Sequence, residues 1–139
     1  MASSLSLSIV SPQGVIFEGN VEQVSLPTVN GMITVLPHHA PLFTKLSEGE
    51  IEIVSGGKHA SYVVSGGFFE INNNKGSVLS SYAIRAESIE MAKAEEKKRQ
   101  TEQKLKEKLT NEEFTVADKD LKMSILELKV AQKVKRRHH

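Results

Sequence analysis

The side chains that could do chemistry in this sequence are five histidines, seventeen carboxylates and many serines, with no cysteine to add a thiolate. His38 and His39 are adjacent, so in an extended segment they point to opposite faces and make poor co-ligands for one ion. His59 is distant in sequence, no His-x-x-x-His spacing exists, and no carboxylate cluster lies nearby. These therefore read as loop-capping or contact histidines and not as a metal site. None of the serines sits in Gly-x-Ser-x-Gly or another nucleophile motif. Ser65-Gly66-Gly67 and Ser55-Gly56-Gly57 have the composition of sheet turns, and there is no Walker-type loop or dinucleotide fingerprint to cradle phosphates. Nothing here has the pattern of an active site. A binding protein that needs no cofactor is the expectation.

The histidines fall in the most constrained stretch of the chain, Val29 to Leu42, which holds two of the four prolines. Pro37 and Pro41 each fix φ near −65° and remove a backbone donor. Each also pushes the residue before it, Leu36 or Ala40, toward extended geometry. The loop is expected to be stiff and to present its histidines and Leu42 at one end of a β-domain, as a sheet corner or as a contact surface.

The elements around that loop are short strands. Leu5, Leu7 and Ile9 alternate with serines, the period-two pattern of a half-buried strand. Ser11-Pro12-Gln13-Gly14 is a turn. Val15 to Phe17 resumes extended structure and Glu18-Gly19-Asn20 breaks it. Val21 to Leu26 is a strand ended by Pro27, and Met32 to Leu36 is a fourth. Leu46-Ser47-Glu48-Gly49 turns the chain into the alternating strand Glu50 to Val54. Ser55-Gly56-Gly57-Lys58 is a hairpin signal. His59 to Val64 returns and Ser65-Gly66-Gly67 interrupts it. Phe68 to Asn72 and Ser77 to Ala83 flank a turn at Asn73-Asn74-Lys75-Gly76 that can supply positive φ. Strands this short, with a turn every few residues, indicate a β-sandwich or a flattened barrel.

From about Glu87 the period changes. No Gly or Pro interrupts the run to Leu109, and good helix formers dominate. Ser88 is a candidate cap, although Met91 stands where a capping box wants Glu or Gln. Glu95–Arg99, Glu96–Arg99 and Glu102–Lys106 have helical pair spacing. The apolar stripe of this first helix is thin (Ile89, Ala92, Leu105, Leu109). Thr110 and Glu113 have capping-box spacing and start a second helix to about Lys135. Phe114, Ala117, Leu121, Ile125, Leu128 and Ala131 form one face of it, widened by Val116, Met123, Leu126, Val130 and Val134, and that stripe wants a partner surface. An antiparallel αα-hairpin packed on the sandwich, with helices roughly 35 Å long, is the expected arrangement. Arg136 to His139 are expected to fray.

Charge marks the same boundary. Residues 1–84 carry three basic against six acidic side chains, and residues 85–139 carry fifteen against eleven. Acids interleave the basic helices, and Phe114 is their one aromatic, so a nucleic-acid surface is not indicated. No acid follows Glu127, however, so Lys129, Lys133, Lys135, Arg136 and Arg137 make a positive helix end suited to an acidic protein surface. No apolar run approaches the ~20 residues that cross a bilayer, and no signal peptide is recognisable. Any membrane role is expected to run through a partner.

Four segments together resemble the epsilon subunit of the rotary F-type ATP synthase. The main one is the strand from Gly31, Leu36-Pro37, the loop His39-Ala40-Pro41-Leu42, and Gly49 opening a new strand. The others are Val10-Ser11-Pro12 with Phe17-Glu18-Gly19, then Val64-Ser65-Gly66-Gly67-Phe68-Phe69-Glu70, then Ala83-Ile84-Arg85. The match covers essentially the whole chain. It implies an α+β chain: an N-terminal antiparallel β-sandwich over 1–85 and a C-terminal αα-hairpin over 86–139. It also implies a non-catalytic rotor subunit. The sandwich would bind the gamma subunit and the c-subunit ring, coupling proton flow to rotation and ATP synthesis. The hairpin would extend to the alpha/beta catalytic head and restrain ATP hydrolysis, through Lys129, Lys133 and Lys135. The setting implied is the cytoplasmic face of the cell membrane, as a peripheral protein held through the complex.

Two departures from that family's pattern shape the expectations. Met32 stands where many members place an acid, so a more apolar ring contact is expected through Met32, His38, Ala40, Pro41 and Leu42. Nucleotide-sensing members carry Ile/Leu-Asp-x-x-Arg-Ala, and here the residues are Ile89-Glu90-Met91-Ala92-Lys93-Ala94. Lys93 keeps the charge but lacks the planar fork of Arg. ATP is thus expected as at most a weak regulatory ligand of Ile89, Glu90, Lys93, Ala94 and Arg99. The alternative reading is a non-enzymatic ligand- or nucleotide-sensing sandwich adaptor with a helical tail.

Overall fold

A computed structural model of the chain describes residues 3–137, so His138 and His139 lie outside the described residues. The chain divides into two compact units between Arg85 and Ala86. The first is all β: β1 (Leu5–Ser11), β2 (Gly14–Val21), β3 (Gln23–Thr28), β4 (Gly31–Val35), β5 (Leu42–Ser55), β6 (Lys58–Asn72), β7 (Lys75–Leu79) and β8 (Ala83–Arg85). They pair in the order β2-β1-β7-β6-β5-β3-β4, with β8 on β6. All pairs are antiparallel except β1 with β7, which is parallel, so the sandwich is not purely antiparallel.

The long strands β5 and β6 explain how one hydrogen-bonded path becomes two layers. Phe68 to Asn72 of β6 pairs with β7, while Tyr62 to Val64 of the same strand pairs with β8. The crossing point is Gly66-Gly67, with φ of 110° and 128°. A Cβ on Gly67 would fall onto the carbonyl oxygen of Leu79. Ser65-Gly66-Gly67 therefore bends a strand and does not end it, because only glycine holds that backbone while the partner strand stays this close. Leu46 to Gly49 likewise stays inside β5, and Gly49 is where Pro27 packs: a Cβ there would lie 2.8 Å from Cβ of Pro27.

Other boundaries shift for related reasons. Pro27 stays within β3 because the β3–β5 register slips between Ser25 and Thr28, where its missing N–H is not needed. Glu18-Gly19-Asn20 stays within β2, and Gly19 leaves room for the ring of Phe17, which passes 3.3 Å from where its Cβ would stand. The last predicted strand is two, β7 and β8, because Ser80 Oγ donates to the Tyr82 carbonyl (2.8 Å) and closes a turn between them. Inward residues of every layer meet in one core, among them Leu5, Leu7, Ile9, Val24, Leu26, Ile51, Phe69 and Ile71.

The second unit is a helical hairpin. A single 3-10 turn, Ala86–Ser88, precedes α1 (Met91–Leu105) and α2 (Asn111–Arg137). Ser88 ends the 3-10 turn and caps nothing; Glu90 is the N-cap of α1, without a side-chain bond. At 1.5 Å per residue α1 spans only about 22 Å and α2 about 40 Å, so the two are unequal. The link between them is set by Thr110, whose Oγ1 accepts from Glu113 N (3.2 Å) while Glu113 Oε1 accepts from Thr110 N (3.3 Å). That reciprocal capping box fixes the start of α2 and obliges α1 to end before it. Arg136 and Arg137 continue α2 instead of fraying.

The buried face of α2 keeps most of the expected residues, gains Ser124 and loses three others. Ala117, Ser124, Leu128, Val130, Ala131 and Val134 are buried, while Phe114, Val116 and Ile125 are exposed. Ala117, Ser124 and Ala131 recur every seven residues, and so do Ala94 and Thr101, the buried residues of α1. A seven-residue repeat of small side chains lets two helices approach closely. Of the expected stripe, Phe114, Val116 and Ile125 lie outside the buried face.

Candidate functional site

Leu36 to Pro41 follow β4 and lead into β5. The turn closes with His39 N donating to the Leu36 carbonyl (3.2 Å). His38 adopts a left-handed backbone, φ 64°, and its N–H donates to Asn74 Oδ1 at 2.8 Å. His39 Nδ1 lies 2.7 Å from the Ala40 carbonyl oxygen. His38, His39, Ala40 and Pro41 are exposed and Leu42 is half-buried against the core. Among the described residues no group of three or more His, Asp or Glu is placed to hold a metal.

Met32 is not part of this cluster. It sits at the other end of β4, next to the Val29-Asn30 turn, where it is 63% exposed. Three strand steps, roughly 10 Å, carry the chain from it to Val35 before the loop begins. Thr28 closes that turn, its Oγ1 donating to the Gly31 carbonyl at 2.6 Å. The five residues expected in one contact thus form two groups, Met32 at one end of the strand and His38 to Leu42 beyond the other.

A third surface was not anticipated. In register across neighbouring strands, Lys45 pairs with Phe68, Phe68 with Leu79 and Leu79 with Val10. Paired residues share a face, so this row points outward together. Phe43, two residues before Lys45, joins it. The rings of Phe43 and Phe68 stack with centroids 5.6 Å apart and planes 19° apart. Phe43 is 65%, Phe68 45% and Leu79 58% exposed. Beside them lies a depression of about 480 Å³ lined by Val10, Ser11, Pro12, Gly67, Phe68, Leu79, Ser80 and Ser81. Contiguous apolar surface of this kind on a sheet face marks a contact site. The sequence carried one signal for it: Phe68 and Phe69 are adjacent in a strand, so one of them must face outward.

In the hairpin, the expected nucleotide residues do not converge. Glu90 and Lys93 pair with each other at 3.0 Å. Ala94 is buried in the seam. Arg99 is engaged by Glu96, Nε to Oε2 at 3.1 Å, and not by Glu95. That bond holds the Glu96 carboxyl below its ordinary value and the Arg99 guanidinium above its own. Ile89 lines a separate cavity of about 280 Å³ with Ala86, Glu87, Met91, Ala131, Val134 and Lys135. Lys129 and Lys133 lie four apart on one face of α2, whereas Lys135 is about 200° further round from Lys133. The residue that shares their face is Arg136.

An eight-stranded sandwich with exposed apolar side chains on one face, followed by a two-helix unit, defines an α+β fold. Residues 4–86 match the family model described as ATP synthase, Delta/Epsilon chain, beta-sandwich domain. Over 128 residues the chain is 34% identical to the ATP synthase epsilon chain of Herpetosiphon aurantiacus, covering 92% of this chain and 94% of that one. It is 37% identical to that of Dehalococcoides mccartyi over 138 residues, covering 99% and 97%. The chain belongs to the epsilon-subunit family of the F-type ATP synthase. Its fold is shared with a chain in the Euglena gracilis mitochondrial ATP synthase (OSCP/F1/c-ring), at a TM-score of 0.71 and 20% identity, covering 98% of this chain and 82% of that one. A chain in the Tetrahymena thermophila central stalk/c-ring assembly shares it at 0.63 and 12% identity, covering 93% and 97%. No helix among the described residues is long and apolar enough to cross a membrane.

Proposed function

We propose that this chain is a non-catalytic rotor subunit of the central stalk of a proton-translocating ATP synthase. The observation that carries the reading is the outward row of Phe43, Phe68, Leu79 and Val10 with the adjoining depression. In this reading that face seats the gamma subunit. Buried aromatic anchors in a pocketed surface are what concentrate binding energy at protein interfaces. The exposed loop His38 to Leu42 and the Met32 turn bear on the c-subunit ring, separately, from the two ends of β4. Met32 makes the latter contact apolar. The chain reaches the cytoplasmic face of the cell membrane only through the complex.

The test is Phe68→Asp. It buries a charge in the proposed interface without touching the core, and should weaken binding of the full chain to the enzyme stripped of this subunit by at least 100-fold. That corresponds to roughly 2.7 kcal/mol. Wild-type affinity in the variant removes the gamma-seating face.

The hairpin restrains ATP hydrolysis by presenting the positive end of α2 to acids of the alpha/beta head. Lys129, Lys133 and Arg136 share one face, and Lys135 another. Ending the chain after Arg85 should raise ATPase activity of the reassembled enzyme, and unchanged activity removes this role. ATP as a weak regulatory ligand rests on the Ile89 cavity with Lys135 beside it. At about 280 Å³ that cavity is smaller than pockets that enclose a whole small-molecule ligand, which fits weak binding. Calorimetry of the isolated protein at millimolar ATP checks it, and no heat ends the idea.

A further inference from the structure

Asn72 pairs with Lys75, leaving Asn73 and Asn74 as a two-residue hairpin loop between β6 and β7. Their φ values are 51° and 61°, the left-handed pair of a type I′ turn, whose preferred second residue is glycine. Asparagine at position 74 departs from that preference, and its side chain has a use that glycine could not supply. Asn74 Oδ1 accepts from His38 N at 2.8 Å, and Asn74 Nδ2 donates to the Ser4 carbonyl at 2.8 Å. One amide thus joins three segments far apart in sequence: the start of β1, the 36–41 loop and the β6–β7 turn. The bond reaches His38 at the point where the loop is left-handed, a conformation that a non-glycine residue keeps only when its surroundings fix it. The bonds of His39 to Leu36 and Ala40 are internal to the loop; the Asn74 bond ties it to the sandwich.

We propose that Asn74 is a positioning residue: it locks the 36–41 loop in the conformation that offers His38, Ala40 and Pro41 to a partner protein. This rests on the reading of that loop as a contact. Local sequence preference gives way here to a demand made elsewhere in the fold, which is where functional constraints show.

Two variants separate the side chain from the turn. Asn74→Gly keeps the left-handed backbone and removes both side-chain bonds. Asn74→Asp keeps the acceptor for His38 and loses the donor to Ser4. Amide exchange at His38 is read by NMR on the full chain, and affinity is read against the enzyme stripped of this subunit. In N74G, His38 should exchange about fivefold faster, the worth of one net hydrogen bond, and affinity should fall to a similar degree. N74D should restore both to within about twofold, since the bond to His38 remains. Unchanged exchange in N74G overturns the proposal, and so does N74D behaving like N74G. A third variant, Ala40→Glu, tests the contact itself. If A40E weakens binding while N74G does not, the positioning role falls and the contact reading stands. If A40E binds like the wild type, the contact reading falls and takes the positioning role with it.

Discussion

The two units of this chain are held together by opposite means. The sandwich is specified by volume. Its largest fully buried side chains include Phe69, Leu5, Leu7, Ile9 and Ile51, and strands distant in sequence meet around them. The hairpin is specified by smaller side chains: Ala94 and Thr101 are buried on α1 and Ala117, Ser124 and Ala131 on α2, with Leu128, Val130 and Val134 as its larger buried aliphatics. Interlocked large residues make a body that loses much by any opening. Small residues in contact gain less apolar burial, so the hairpin depends on close approach and on the capping and pairing of its own backbone. A rigid platform and a lightly held helical pair are suited to different tasks.

The largest expected effect attacks the platform. Phe69→Ala removes a fully buried ring and should cost roughly 3–5 kcal/mol. Urea unfolding followed by sheet signal would show a large fall in midpoint. If the helical signal keeps its wild-type midpoint in the same titration, the two units unfold separately. A single shared transition would instead mean that the contrast between them is one of packing style and not of independence.

The next attacks the seam from the direction in which the two regions differ most. Ser124→Leu adds apolar volume, which an ordinary leucine-lined hairpin would welcome. In a seam built on close approach it should instead force the helices apart and cost roughly 1–3 kcal/mol. Helical ellipticity against temperature reads it directly. A gain in stability would show that the small residues leave slack.

Thr110→Ala comes third. It removes the hydroxyl half of the capping box and should cost about 1 kcal/mol of hairpin stability, leaving the sandwich transition unmoved.

Much of this was legible in the sequence, and what was not has a physical reason. The Thr110–Glu113 box was readable because both partners are local and the motif is reciprocal. The alternation of Leu5, Leu7 and Ile9 gave β1 directly. Ser65-Gly66-Gly67 was misread as a break, because local preference cannot tell a glycine that ends a strand from one that bends it. That difference lies in Leu79, whose carbonyl stands where the Cβ of residue 67 would be. On α2, Ala117, Leu128, Val130, Ala131 and Val134 are legible from hydrophobic spacing, whereas Ser124 is not, and Phe114, Val116 and Ile125 are exposed although hydrophobicity favours them. The residues expected at one contact are separated for a different reason. Met32 and His38 are six apart in sequence, but a strand between them turns sequence proximity into distance. Asn74, remote in sequence and unremarkable in type, becomes visible only when the loop it touches is in place.

The smallest expected effect tests the charged surface of α1. Arg99 donates to Glu96 one turn before it, and that bond lowers the Glu96 pKa from an ordinary value of 4.5. A depressed folded-state pKa means that the ionised form is favoured by folding. The contribution is therefore fully present above the ordinary value, and it is lost as pH falls through the lower folded value. Both groups are exposed, so the effect is small and salt screens it. Helix content of Glu96→Gln should fall slightly below wild type at pH 6 and low salt. The two should converge as the solution is acidified past the folded value, and again at high salt. A gap that persists in acid would mean that position 96 acts through intrinsic helix preference. The pairing of the exposed face would then add nothing, leaving the small-residue seam and the capping box to hold the hairpin.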